Sequence, residues 1–208
     1  MGWEGPPAPY RIETERLVIR CWEPTDAPLL KEALDSSLDH LRPFMDWAHD
    51  EPQPVEQKAE LLRAFRALYD TGESFVMGIF DRSEGEVLGG TGLHARIGPG
   101  GLEIGYWIRA SATRQGIATE ASAALTRVGF EVCEADRIEI RIEPHNEASS
   151  GIPRKLGFLE EATLRRRLPG RRGGPLRDAT VWTMFREDFD ASLAPGLCAF
   201  DALGRQLL

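Results

Sequence analysis

The stretch RIEIRIE, residues 137–143, alternates without exception, with Ile138, Ile140 and Ile142 set against Arg137, Glu139, Arg141 and Glu143. Strict period-two alternation of β-branched and charged side chains specifies a half-buried strand. Just upstream the period is helical, because Ile117, Ala121, Leu125, Val128 and Val132 fall along one stripe. Upstream again, LEIGYWIRA reads as a strand. A strand, a helix and a strand in succession require a sheet carrying a helix on its face.

The rest of the chain extends that sheet. RLVIRCW alternates as a first strand, and Thr25, with Asp26 behind it, is placed to cap a short helix DAPLLKEALDSS. A second helix is framed by Pro54 at its first position and Gly72 past its end, with Val55, Ala59, Leu62, Phe65 and Tyr69 at helical spacing. ESFVMGIF, EVLGGTGLHARI and LEIGYWIRA are separated by the turn segments DRSEGE and GPGG, which predicts three antiparallel strands. SSGIPRKL reads as a short helix stopped by Gly157, followed by strands in FLEEATLRR and ATVWTMF. The expected order is β-α-α-β-β-β-α-β-α-β-β: a mixed α/β fold with about seven mostly antiparallel strands flanked by helices.

Composition narrows the function classes. With 208 residues, 42% hydrophobic and 28% charged, the chain can bury one full core. Residues 10–189 are expected to form the domain, 1–9 a loose Pro- and Gly-rich leader, and 190–208 a tail apolar enough to dock on the body or on a second subunit of a homodimer. A net charge of −8 argues against a nucleic-acid or anionic-membrane binder. The N-terminus has no basic segment followed by an apolar one, and no run is long and apolar enough for a bilayer, so the reading is cytoplasmic. Cys21, Cys133 and Cys198 have no metal or redox spacing, and no metal is expected.

RQGIATEA, residues 114–121, puts glycine and small residues where a strand gives way to a helix. The first amides of a helix lack intrahelical acceptors and sit at the positive end of its dipole. Gly116 would let a phosphate reach the backbone there, while a tight turn with no ligand is the plainer alternative.

EIGYWIRASATRQGIATEA followed by RIEIRIEPHNEASSGIPRKLGF resembles the GNAT acyl-CoA transferases, and among them the RimJ/RimL-like N-acetyltransferases. The likeness runs over roughly residues 11–187 and takes in RLVIRCWEPTDA and SLDHLRPFMDWA. It implies an enzyme that moves acetyl from acetyl-CoA to an amine by direct attack in a ternary complex. It also implies that Arg114, Gln115, Gly116, Ile117, Ala118 and Thr119 wrap the pyrophosphate. Trp107 and Ile108 would bond the pantetheine arm, which lies between two splayed strands. Two positions depart from the family pattern: Thr113 stands where glutamine or arginine is usual, and Pro153 stands where many members carry a thiolate-protonating tyrosine. The resemblance places Ser149 near the coenzyme sulfur, as a cofactor-binding residue with the acid role, and gives a cofactor-contacting or helix-tethering role to Asn146.

Aminolysis of a thioester needs a neutral amine, a polarised carbonyl and stabilisation of the departing thiolate. Glu103, on the strand beside the expected slot, is the candidate base, directly or through water, unless it is only a carboxylate on a solvated face. His94 and His145 are the other titratable choices. Ser149 is also a good helix N-cap. Arg165, Arg166, Arg167, Arg171, Arg172 and Arg177 form a basic patch, either a solvated hairpin or an attractor for phosphates. Phe44 and Trp47 fit a substrate wall or ordinary core. The acceptor stays open between an N-terminal α-amine of a protein or peptide, favoured by the resemblance, and a small amine such as an amino sugar. A CoA-binding module without turnover is the alternative outside catalysis.

Overall fold

A computed structural model describes residues 2–208, and its strands sort their side chains by parity. On β2 (Leu17–Cys21), Leu17, Ile19 and Cys21 enter one apolar cluster while Val18 enters another. On β3 (Ser74–Asp81), Met77 and Ile79 go with the first set and Phe80 with the second. One sheet therefore separates two cores. The first core lies under α4 (Ile117–Glu131), whose Ala121, Leu125 and Val128 are fully buried. The second lies under α1 (Ala27–Asp35) and α3 (Val55–Asp70), through Leu30, Leu34 and Leu62.

The sheet has nine strands, and the two beyond the expected number are short. They are β1 (Arg11–Glu13) and β9 (Cys198–Phe200), each three residues long and so without room to show a period. Between them in sequence come β4 (Val87–His94), β5 (Gly101–Ile108), β6 (Arg137–Ile142), β7 (Leu159–Leu168) and β8 (Arg177–Phe185). Spatial order is β7-β8-β6-β5-β4-β3-β2-β1-β9. The pairing is antiparallel except at β5 and β6, whose parallel arrangement needs the crossover that α4 supplies.

Several local expectations are corrected. The short helix α2 (Leu38–Leu41) makes three helices, not two, between β2 and β3. Thr25 does not cap α1; Asp26 holds that position, and its carboxylate accepts from the Glu23 amide at 2.9 Å and from Arg20 at 2.8 and 2.9 Å. Pro54 is the residue before α3, one place earlier than expected. Residues 2–9 are not loose. Trp3 donates from its amide to Gly72 O at 3.0 Å, Ala8 and Pro9 are buried, and the Tyr69 hydroxyl donates to Pro9 O. The tail docks on the body: β9 pairs with β1, and Arg127 donates to Ala194 O at 2.9 Å. Among the described residues no helix is long and apolar enough to cross a membrane.

Candidate active site

The strands β5 and β6 pair only at Gly101–Arg137, Leu102–Ile138 and Glu103–Glu139. Beyond Glu103, β5 keeps its ladder with β4 through Ile108, while its other edge has no strand partner. That unpartnered edge borders a cavity of about 700 Å³. Glu103, Tyr106, Trp107, Asn146 and Ser149 all line it. Ile108 and residues 114–119 do not. Ile108 is packed in the core, and the loop lies farther along, where β5 runs through a short turn into α4.

Two glycines shape the floor. A Cβ on Gly90 would fall 2.4 Å from the Trp107 indole nitrogen, so that ring lies flat across the sheet. Trp47, from the turn Asp46–His49, meets it edge-on with centroids 6.0 Å apart. Phe44 and Trp47 are thus partly exposed cavity wall, not core. A Cβ on Gly105 would come 3.4 Å from Nε2 of His94. The His94 Nδ1 is bonded to the Ser74 hydroxyl at 2.9 Å. Burial, with the Arg96 charge beside it, pulls the His94 pKa down to about 4, so the ring is neutral at pH 7. His145 lies in the turn after β6 and does not line the cavity.

Glu103 is buried, but it is not a free carboxylate. Arg96 donates to both of its oxygens, at 2.6 and 3.0 Å, and Arg141 lies 4.0 Å away. Arg141 also bonds Glu139 at 3.0 Å, as does Arg137. The charged half of the 137–143 alternation is therefore ion-paired, and its Arg141 and Glu143 line the cavity. A direct proton acceptor needs an open lone pair aimed at the amine, and here a guanidinium fork already takes one lone pair on each oxygen. Burial of a carboxylate with its partner was not legible, because Arg96 lies in the turn beyond β4.

The helix α5 (Glu147–Lys155) begins earlier than its sequence suggests. Asn146 is the N-cap, its Oδ1 accepting from the Ser149 amide at 3.1 Å, so Ser149 is not the cap. Pro153 consequently sits inside the helix and not in its first turn. The Ser149 hydroxyl instead meets the Tyr106 hydroxyl at 2.8 Å, and the Ser149 carbonyl oxygen lies 3.3 Å from the same phenol oxygen. No sequence signal points to Tyr106, because one tyrosine in a strand carries no chemical signature without its partner.

At the far end, Gly116 adopts φ +81 and Arg114 φ 59, two left-handed residues in a three-residue turn. Only glycine takes that conformation without cost, which accounts for residue 116. The first helical bond of α4 runs from the Glu120 amide to Gly116 O at 2.9 Å, so the amides of Ile117, Ala118 and Thr119 precede it. Arg16 braces this junction, donating to Gln115 O at 2.9 Å and pairing with Glu120 at 2.6 Å. No sequence signal points to Arg16 either, since it lies 99 positions from its acceptor. Thr113 bonds only Ala110 O, at 2.9 Å. The Arg114 side chain is exposed and makes no ion pair among the described residues.

The arginine patch divides in two. Arg171 and Arg177 turn inward onto Glu143, at the end of β6, whereas Arg165, Arg166, Arg167 and Arg172 are exposed on the hairpin. On the opposite wall, Lys58 and Glu51 form a buried ion pair.

Comparison with known proteins agrees with this geometry. Residues 16–159 match the family model described as an acetyltransferase (GNAT) domain. An N-acetyltransferase of Bacillus subtilis, YoaA, is 30% identical over 155 residues, covering 74% of this chain and 85% of the relative. The [ribosomal protein uS5]-alanine N-acetyltransferase of Escherichia coli is 27% identical over 157 residues, covering 73% and 79%. Mycobacterium smegmatis RimJ, solved in complex with a CoA disulfide, superposes with a TM-score of 0.75 at 27% identity, covering 92% of each chain. This chain belongs to the GNAT acetyltransferase family, with ribosomal-protein N-acetyltransferases among its relatives.

Proposed function

We propose that this N-acetyltransferase passes the acetyl group of acetyl-CoA to the N-terminal α-amine of a protein or peptide. The observation that carries the reading is the splay of β5 from β6 beyond Glu103, which leaves backbone groups of residues 104–108 open to an amide-bearing chain. A pantetheine arm can bond such an edge as a strand would, at Trp107 and Ile108. The amides from Arg114 to Thr119, at the positive end of α4, suit a pyrophosphate. The ribosomal-protein relative supports the choice of acceptor.

Acetyl-CoA would supply a thioester whose leaving group is a thiolate. The amine lone pair forms the C–N bond, the C–S electrons stay on sulfur, and the surplus amine proton passes to water. An α-amine with pKa ~8 is neutral often enough near neutral pH for this to need no strong base. Glu103, held by Arg96, accordingly fixes the floor and does not abstract the proton. Asn146 caps α5 and so aims Ser149, whose hydroxyl donates a hydrogen bond to the developing thiolate. Positioning carries much of the rate.

One contact favours a second reading. Asp46 Oδ1 accepts from the Arg172 amide at 2.7 Å, which ties the turn carrying Trp47 to the β7–β8 hairpin, and a cleft braced in this way would suit a small amine. Thiol release from acetyl-CoA tests both, using peptides with free and with blocked N-termini beside small amines. Release with free N-termini alone is expected. Release with small amines alone selects the second reading, and none with any amine leaves a coenzyme-binding module.

A further inference from the structure

The position at which the family resemblance expects a helical tyrosine holds Pro153, yet a tyrosine hydroxyl still reaches α5, from the opposite side. We propose that Tyr106 is a positioning residue for Ser149, donating to its Oγ so that the serine's own proton points into the cleft. The proposal rests on the reading of Ser149 as the donor to the thiolate.

Parity on β5 places Tyr106 on the α5 side of the sheet, with Leu102, Ile104 and Ile108. Its hydroxyl stands 2.8 Å from Ser149 Oγ and 3.3 Å from Ser149 O. The second contact has a cause in the sequence. Pro153, four residues after Ser149, has no N–H, so the Ser149 carbonyl lacks its helical donor and its lone pairs are open to Tyr106. A phenol and a serine hydroxyl have one proton each. When the phenol donates to Oγ, the serine proton is released for another acceptor, and donation polarises the serine O–H into a stronger donor. Burial raises the Tyr106 pKa to about 12, so the phenol keeps its proton and stays a donor. For the same reason it is not itself the proton source for a thiolate, whose conjugate thiol has a pKa near ~8.5.

The test is a double-mutant cycle on the full chain, read as kcat and as KM for acetyl-CoA at saturating acceptor, with thermal unfolding of each variant as the check on folding. Tyr106→Phe keeps the ring and removes the donor; kcat should fall about tenfold with KM within about twofold. Ser149→Ala should fall at least as far, and Tyr106→Phe/Ser149→Ala should match Ser149→Ala within about twofold, because Tyr106 acts through Ser149. Pro153→Ala, which restores a helical donor to the carbonyl but leaves the Oγ contact, should keep kcat within about twofold. A slow Ser149→Ala beside a wild-type Tyr106→Phe, or losses that multiply in the double variant, would overturn the proposal while sparing the role of Ser149. A Pro153→Ala loss as large as that of Tyr106→Phe would overturn it by giving the carbonyl the working contact. An unchanged Ser149→Ala would remove both readings. Should Tyr106→Phe unfold, 3-fluorotyrosine at position 106 keeps the shape and strengthens the donor; kcat should then rise about twofold, and an unchanged kcat would count against the proposal.

Discussion

Arg96 grips both carboxylate oxygens of Glu103, at 2.6 and 3.0 Å, on the floor of a cleft where a general base would otherwise be sought. Structure and base chemistry compete for the same carboxylate, and the ion pair takes one lone pair on each oxygen. Glu103→Gln should therefore cost about 1–2 kcal/mol of stability through the loosened Arg96 and Arg141, and less than about tenfold in kcat at pH 8. Urea denaturation and initial rates check it. A hundredfold loss of kcat together with a lost acid-side limb in the pH profile would restore Glu103 as the base.

Gly116→Trp tests the phosphate seat. The substitution puts a bulky side chain at φ +81, beside the Arg16 guanidinium that a Cβ would approach to 3.3 Å. Strain of about 1–2 kcal/mol should leave the protein folded, while CoA affinity drops at least about a hundredfold. Ser149→Ala, by contrast, should bind CoA as the wild type does. Calorimetry on both variants separates a seat for phosphates from a tight turn.

His94 links stability to acid. Its pKa is about 4 in the folded protein and near 6.5 when unfolded, so between those values the unfolded chain holds the extra proton. The stabilisation is complete above about pH 6.5 and is lost as pH falls toward 4. The stability gap between wild type and His94→Gln should narrow by about 2–3 kcal/mol from pH 7 to pH 4.5. A constant gap, measured by urea denaturation, would mean that His94 protonates freely in the fold.

Lys58 and Glu51 form a buried ion pair on one wall of the cavity, with Gln53 bonded to both. Lys58→Met leaves a buried carboxylate without its cation and should cost about 3–5 kcal/mol. Lys58→Met/Glu51→Leu removes both charges and should recover most of that loss. Melting temperatures of the two variants decide the matter.

The long elements were legible because parity and helical stripes survive in local sequence, as at residues 137–143 and along α4. What escaped notice was assembled across distance. β1 and β9 are too short for a period; β1 is held between β2 and β9, and β9 by its pairing with β1. The Asn146 cap went unread because Ser149 and Ser150 are equally good cap residues by type, and only the 3.1 Å bond from the Ser149 amide chooses between them. Tyr106 and Arg16 act on residues 43 and 99 positions away, where no motif links them. The glycine junction at residue 116 was visible, since a left-handed turn leaves glycine as its signature.

The central claim is that the gap between β5 and β6, with the α4 terminus beyond it, seats the coenzyme. Calorimetric titration of the purified protein with acetyl-CoA and, separately, CoA tests this directly. The account predicts saturable binding at one site with Kd on the order of 1–100 μM, about 5.5–8 kcal/mol. Absence of binding at millimolar coenzyme would contradict it and leave the cleft without its ligand.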